Sequence, residues 1–233
     1  KVYTLLLVLL AALFGGNVYS ATIASDGLNN STSLFTFNTN GAYYTGNSGT
    51  GDRPASSPFA SEGTHSRGVS NATATLTSSD ISTSGYTGIQ LSFRLASFSI
   101  SSTGNGADAG DIVTVEISPD GGATYYSTVR VLGNSNAYWD YTATGVATTA
   151  YDGDINPVNY QPAGGGSRTA DGYSTISVTN LPAIPNLRIR ITLLNNATNE
   201  RWTIDDVQIT GTLASSNTIT TGAISGSPFC VTA

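Results

Sequence analysis

The sequence predicts an all-β protein, a two-sheet antiparallel sandwich of about eight strands. Three observations lead to it. Short runs alternate apolar and polar residues with a period of two, Ile89-Gln-Leu-Ser-Phe-Arg-Leu95 being the cleanest. That period sets one side of a strand in a core and the other in water. Turn formers (Gly, Asn, Asp and Pro) separate most of these runs. Helical spacing of apolar residues is missing beyond the N-terminus, and charged residues make up only 10% of the 233-residue chain, so the Glu- and Lys-rich faces of surface helices cannot be built.

Taken in order, Lys1–Ser20 reads as a secretory signal peptide. Lys1 is the charged start, and Val2–Phe14 is an apolar stretch too short to span a bilayer comfortably. Val18-Tyr19-Ser20 before Ala21 supplies small residues at a cleavage point. The exported chain then runs as one β domain from Ala21 to Thr212. Residues 213–233 read as a linker and the start of a truncated second β domain. Leu34–Phe37 is a short first strand and Asn38–Ser61 a polar surface loop. Val69–Leu76, Ile89–Leu95, Ile112–Ser118 and Tyr125–Leu132 are strands. Pro119-Asp120-Gly121-Gly122 is a hairpin turn, because Asp-Gly and Gly-Gly tolerate positive φ. Gly133–Gly172 is a second long irregular stretch, of a length that often carries function. Tyr173–Val178, Leu187–Leu194 and Trp202–Ile209 complete the set.

The last strand changes phase. Trp202 and Ile204 point one way, Val207 and Ile209 the other. All four reach one core only if the register slips by one residue at Asp205-Asp206, which a β-bulge accomplishes. Two carboxylates at such a point are either charged protection of the strand or half of a cation site.

The formal charge of −6 and eight scattered Arg, with Lys1 the only lysine, leave no basic stripe for nucleic acid and no attraction to anionic lipid. Cys230 has no partner within the sequence.

Six groupings are candidates for chemistry. Asp205-Asp206 is the metal candidate, with Arg188 or Arg201 the nearest cations if an Arg pairs it instead. Asp108-Ala-Gly-Asp111 offers two more carboxylates or a loop with Asp-favoured turns. Asp152-Gly-Asp-Ile-Asn156 imitates a calcium loop but has Pro157 and Ala163 where Gly and Glu belong, so Asx turns are the simpler reading. Tyr138, Trp139 and Tyr141, together with Tyr125-Tyr126, are the ligand-binding candidates, since aromatic faces stack on sugars; alternate aromatics on a sandwich strand equally serve as core. His65, the one histidine, sits in a polar loop with no second metal ligand or nucleophile partner. Glu62, Glu116 and Glu200 do not form a glycosidase pair in any cleft-like context.

The stretches Leu91-Ser-Phe93, Val113–Gly122, Leu187–Arg190 and Trp202-Thr-Ile-Asp-Asp-Val207 together resemble the jelly-roll modules grouped as MAM-like or galactose-binding-like. Such modules occur in secreted multi-domain surface proteins of Bacteroidota-type bacteria. The tail Ile219–Ala233 resembles the start of the Ig-like repeats that follow them. The resemblance implies a jelly roll, a structural Ca²⁺ held by an acidic residue of the last strand with oxygens from Asp26, Asn38 or Glu62, and secretion.

The expected function is a non-catalytic secreted or cell-surface module with an adhesion or domain-presentation role. The alternative is a carbohydrate-binding module that targets a downstream hydrolase to polysaccharide. The two differ in one expectation. A sugar binder holds Trp139 and its Tyr neighbours outward on a groove, whereas a structural module buries Trp139 and leaves a flat Ser/Thr face.

Overall fold

The computed structural model describes residues 20–29, 34–38, 41–45, 60–99, 105–164 and 172–214. These residues form strands and no helix: β1 (Ser20–Asp26), β2 (Phe35–Phe37), β3 (Ala42–Thr45), β4 (His65–Val69), β5 (Ala72–Ser78), β6 (Tyr86–Ser99), β7 (Ile112–Ser118), β8 (Tyr126–Leu132), β9 (Gly145–Ala150), β10 (Val158–Tyr160), β11 (Tyr173–Leu181), β12 (Arg188–Asn195) and β13 (Glu200–Leu213). Among them, therefore, no helix is long and apolar enough to cross a membrane.

The seven-stranded sheet runs β3-β4-β13-β6-β11-β9, with β1 also on β13; the six-stranded sheet runs β10-β8-β7-β12-β5-β2. Without the edge strands, two quartets remain, β4-β13-β6-β11 and β5-β12-β7-β8. The chain passes from one quartet to the other at every step except the β7–β8 hairpin. That wrapping is a jelly roll.

The all-β sandwich is therefore present, with detail added at its edges. Thirteen strands replace the expected eight, and the sheets are mixed, because β9 lies parallel to β11 and β10 parallel to β8. Both parallel strands come from the supposedly irregular stretch 133–172, β9 at the edge of one sheet and β10 at the edge of the other. β3 likewise lies within the expected loop Asn38–Ser61. The single expected strand Val69–Leu76 is two, broken at Ser70-Asn71, where Asn71 takes φ 49° and the chain changes sheet. The Thr/Ala alternation begins only at Ala72, after that break. His65 opens β4 and is not a loop residue. The expected signal peptide overlaps β1 by Ser20 alone; its residues 1–19, Cys230 and the expected second domain beyond Ala214 lie outside the described residues.

Alternation places the core where the period-two pattern puts it. Ile89, Leu91, Phe93 and Leu95 of β6, Val113, Val115 and Ile117 of β7, and Ile189, Ile191 and Leu193 of β12 are all buried between the sheets. The bulge in β13 is real. Asp205 pairs with Arg94 and Gln208 with Ser92, so three steps on β13 match two on β6. Asp206 takes up the extra residue at φ 49°. Trp202, Ile204, Val207 and Ile209 consequently all reach one core.

Candidate functional site

The outer faces of the two sheets differ, and the candidate residues divide between them. On the seven-stranded sheet, the segment after β8 crosses back over the strands. Trp139 exchanges both backbone hydrogen bonds with Ser97 of β6. Its indole N–H donates to the Leu95 carbonyl at 3.1 Å, and its ring meets Trp202 edge-on at 5.5 Å. Trp139 is 0% exposed, Tyr138 8% and Tyr141 5%. Gly172 packs so closely on the Trp139 ring that a Cβ there would lie 2.2 Å from it. Tyr141 covers Phe98 on the outer side of the sheet and donates its hydroxyl to Thr203 at 3.0 Å. Burial, followed by the Asp205 charge, raises its pKa above the usual phenol range.

Beside Tyr141 lies Asp205, also 0% exposed. Its Oδ2 accepts backbone N–H bonds from Ser61 (2.6 Å) and Glu62 (2.9 Å), and its Oδ1 accepts from Asp206 (2.8 Å). The carboxylate thus ties the segment before β4 to the bulge of the last strand. Burial pushes its pKa up to about 6, against the pull of those three donors. The cation across the strand is Arg94, not Arg188 or Arg201. It donates to the Tyr141 carbonyl and to Thr175 rather than to the carboxylate. Asp206 accepts from Gln208.

Sequence reasoning did not assemble a third grouping. Asp108, Asp111 and Glu200 place carboxylate oxygens within 4.8 Å of one another. Asp111 and Glu200 are buried. Asp111 accepts from the Asn196 and Asp108 N–H groups at 2.9 Å each, so it pins the β12–β13 loop to the β6–β7 loop. Burial first, then the hydrogen bond and charge of Asp111, push the Glu200 carboxyl up to about 8. One clue was available: Glu200 shares the inward phase of Trp202 and Ile204, an unusual place for an acid. Oxygens around one Ca²⁺ sit 2.3–2.6 Å from it and thus up to about 5 Å apart, so this grouping fits a hard cation. Asp205 fits one less well, because three N–H donors already aim at its oxygens. The Asp152–Asn156 segment forms the two Asx turns expected of it, Asp152 accepting from Asp154 and Asp154 from Asn156.

The six-stranded sheet presents an open outer face. Its cross-strand rows read Thr36, Thr77, Arg190, Glu116 and, beside them, Thr75, Thr192, Thr114, Arg130. Arg190 grips Glu116 with two bonds, 2.6 and 2.9 Å, while its guanidinium lies 3.8 Å over the Tyr125 ring. Arg188 pairs with Asp80 at 2.5 Å.

No family model matches the chain, and no curated protein does. Solved structures similar to it include TmCBM61 in complex with β-1,4-galactotriose (9% identity, TM-score 0.42, 75% of this chain and 86% of that one). Another is the K3 cleaved adhesin domain of Lys-gingipain from Porphyromonas gingivalis W83 (13%, 0.43, 82% and 99%). A third is a xylan-binding domain from CBM 22 (11%, 0.39, 83% and 96%). Likenesses of this size transfer neither family nor ligand to this chain.

Proposed function

We propose that residues 21–212 form a non-catalytic β-sandwich module of a secreted or cell-surface protein, exported by the signal peptide 1–20 and followed from 213 by a linker and further β structure. Its role is adhesion, or the presentation of neighbouring domains. The observation that carries this reading is the complete burial of Trp139, beside an open sheet face of Thr and internally paired charges. The fold uses the aromatic segment as packing, and what it offers outward is a flat polar surface. Adherence of bead-coupled protein to cells or to glycan-coated plates tests this. Retention on such surfaces but not on bare plates, without cleavage of the glycan, is expected; failure to adhere to any of them would remove the adhesion role.

The second reading, a carbohydrate-binding module beside a hydrolase, keeps support from the half-buried Tyr125 and the arginines around it. Tyr138, Trp139 and Tyr141 serve that reading only if the segment swings away from β6. The Ca²⁺ implied by the resemblance would be held by Asp108, Asp111 and Glu200, with Asp205 and Asp206 as the other candidate pair. Its part would be structural, neutralising buried carboxylates and fixing loops. Thermal unfolding with Ca²⁺ and with EDTA separates the two: at 100 times its Kd a native-state ligand adds about 2.7 kcal/mol. Glu200→Gln abolishes that gain if the first grouping is the site, and Asp205→Ala if the second is.

A further inference from the structure

We propose that the end of the open sheet face around Tyr125 is a binding site for a neutral glycan. The inference rests on the adhesion reading above and gives it a ligand class. It also moves the contact from Tyr138–Tyr141 to residues of the opposite sheet.

Five side chains build the site. Tyr125 follows the β7–β8 turn, and Arg188 and Arg190 alternate outward on β12 beside it. Each arginine is fixed by its own carboxylate, Arg188 by Asp80 and Arg190 by the two-bond grip of Glu116. Arg190 stacks over the Tyr125 ring, and the Arg188 side chain and the Tyr125 hydroxyl both border Gly122 of the turn. Gly122 of the turn takes φ 93°, which favours glycine, and a Cβ there would lie 3.1–3.3 Å from Arg188 and the Tyr125 hydroxyl. Surface arginines ordinarily sample many rotamers, whereas here aromatic stacking and paired carboxylates hold two of them in one geometry. A recognition site needs that preorganisation. The cluster remains within reach of solvent, since the Arg188, Arg190 and Asp80 side chains are 35%, 34% and 49% exposed.

The charge pattern selects the ligand class. Two arginines against two carboxylates sum to zero, so an anionic polymer gains nothing in net charge and meets Glu116, Asp80 and a chain of formal charge −6. A guanidinium beside a carboxylate presents donors next to acceptors. Vicinal sugar hydroxyls, each of which donates and accepts, match that arrangement, and the part-exposed phenol adds an apolar ring edge.

The test is affinity electrophoresis and calorimetry of the full chain. The neutral probes are mixed-linkage β-glucan, galactomannan and dextran, and the anionic ones alginate and pectate. At least one neutral polymer is expected to bind, with less than a twofold change in Kd on going to 0.5 M NaCl. Tyr125→Ala and Arg190→Ala should each weaken binding at least tenfold, while Thr198→Ala, on a distant loop, leaves it unchanged; equal melting temperatures certify folding. If Tyr125→Ala fails to fold, Arg188→Lys tests the same site, because lysine lacks the Nε–H that Asp80 accepts. Binding that survives these substitutions overturns the site and leaves the adhesion reading standing. Binding to the anionic polymers alone overturns the ligand class. Binding to none overturns the inference; adherence of the beads to cells would then show that adhesion rests on another partner.

Discussion

The two outer faces of the sandwich are built from similar strands and end in opposite states. On the seven-stranded sheet, Thr203 and Asp205 occupy positions that alternation assigns to solvent, yet both are 0% exposed. The chain folds back over them: Tyr141 lies on one side and the Ser61-Glu62 backbone is tied to Asp205 on the other. On the six-stranded sheet, the equivalent outward residues Thr75, Thr192 and Thr114 keep water, and the charges near them are paired on the surface. Alternation fixes which side chains leave the core. It does not fix what they then meet. A carboxylate under a loop has lost its hydration and needs every N–H it can find. A threonine on an open face needs nothing.

Substitutions along that divide should differ by an order of magnitude. Trp139→Ala strikes where the covering segment enters the core. It deletes a fully buried ring and its indole hydrogen bond, and should cost about 3–5 kcal/mol in denaturant unfolding. A loss below about 1 kcal/mol would mean that the segment is not part of the core, and would revive the sugar-contact reading of Trp139.

Next in size is a pH effect at Glu200. Its folded pKa, about 8, lies above the ordinary value of 4.5. Between those values the folded state keeps a proton that the unfolded state has released, so stability falls as pH rises through the window. Asp205 acts in the same direction between 3.8 and about 6. In EDTA the chain should lose roughly 3 kcal/mol between pH 5 and pH 8 through Glu200, and Glu200→Gln should flatten the profile. Identical slopes for parent and variant would show that this carboxyl is not buried against Asp111.

Asp205→Ala leaves the Ser61 and Glu62 N–H groups without their acceptor and should cost about 1–3 kcal/mol. Asp205→Asn, which keeps one acceptor oxygen, should recover part of that loss in the same unfolding assay. At the far end of the comparison, Thr192→Ala on the open face removes one weak 3.4 Å hydroxyl contact with Thr75. It should shift stability by no more than about 0.5 kcal/mol. A larger loss would mean that something covers this face too.

Much of the architecture was legible in the residues. The buried sets of β6, β7 and β12 follow directly from period two, and the phase slip in Trp202–Ile209 located the bulge to the residue. Edge strands were not legible. β9 and β10 are short and begin at or just after a Gly or Pro, and with one side of each facing solvent little packing constrains their composition. The break between β4 and β5 rests on two residues, Ser70-Asn71, without a Gly or Pro to mark it. Of the candidate site residues, Asp205 and Trp139 stood out by type and position, but not by environment. Arg94 was passed over as an ordinary outward residue, and Glu200 was noticed only as one of three glutamates.

Steric alternation and turn chemistry are local, so the fold class, the inward face of each central strand and the irregularity at Asp205-Asp206 are written in the residues themselves. Which outward face stays open and which is roofed depends on the assembled fold. The same holds for the meeting of Asp108, Asp111 and Glu200 and for the stacking of Arg190 over Tyr125. Each of those outcomes joins residues tens of positions apart. Their energies come from desolvation and pairing, which no local pattern records.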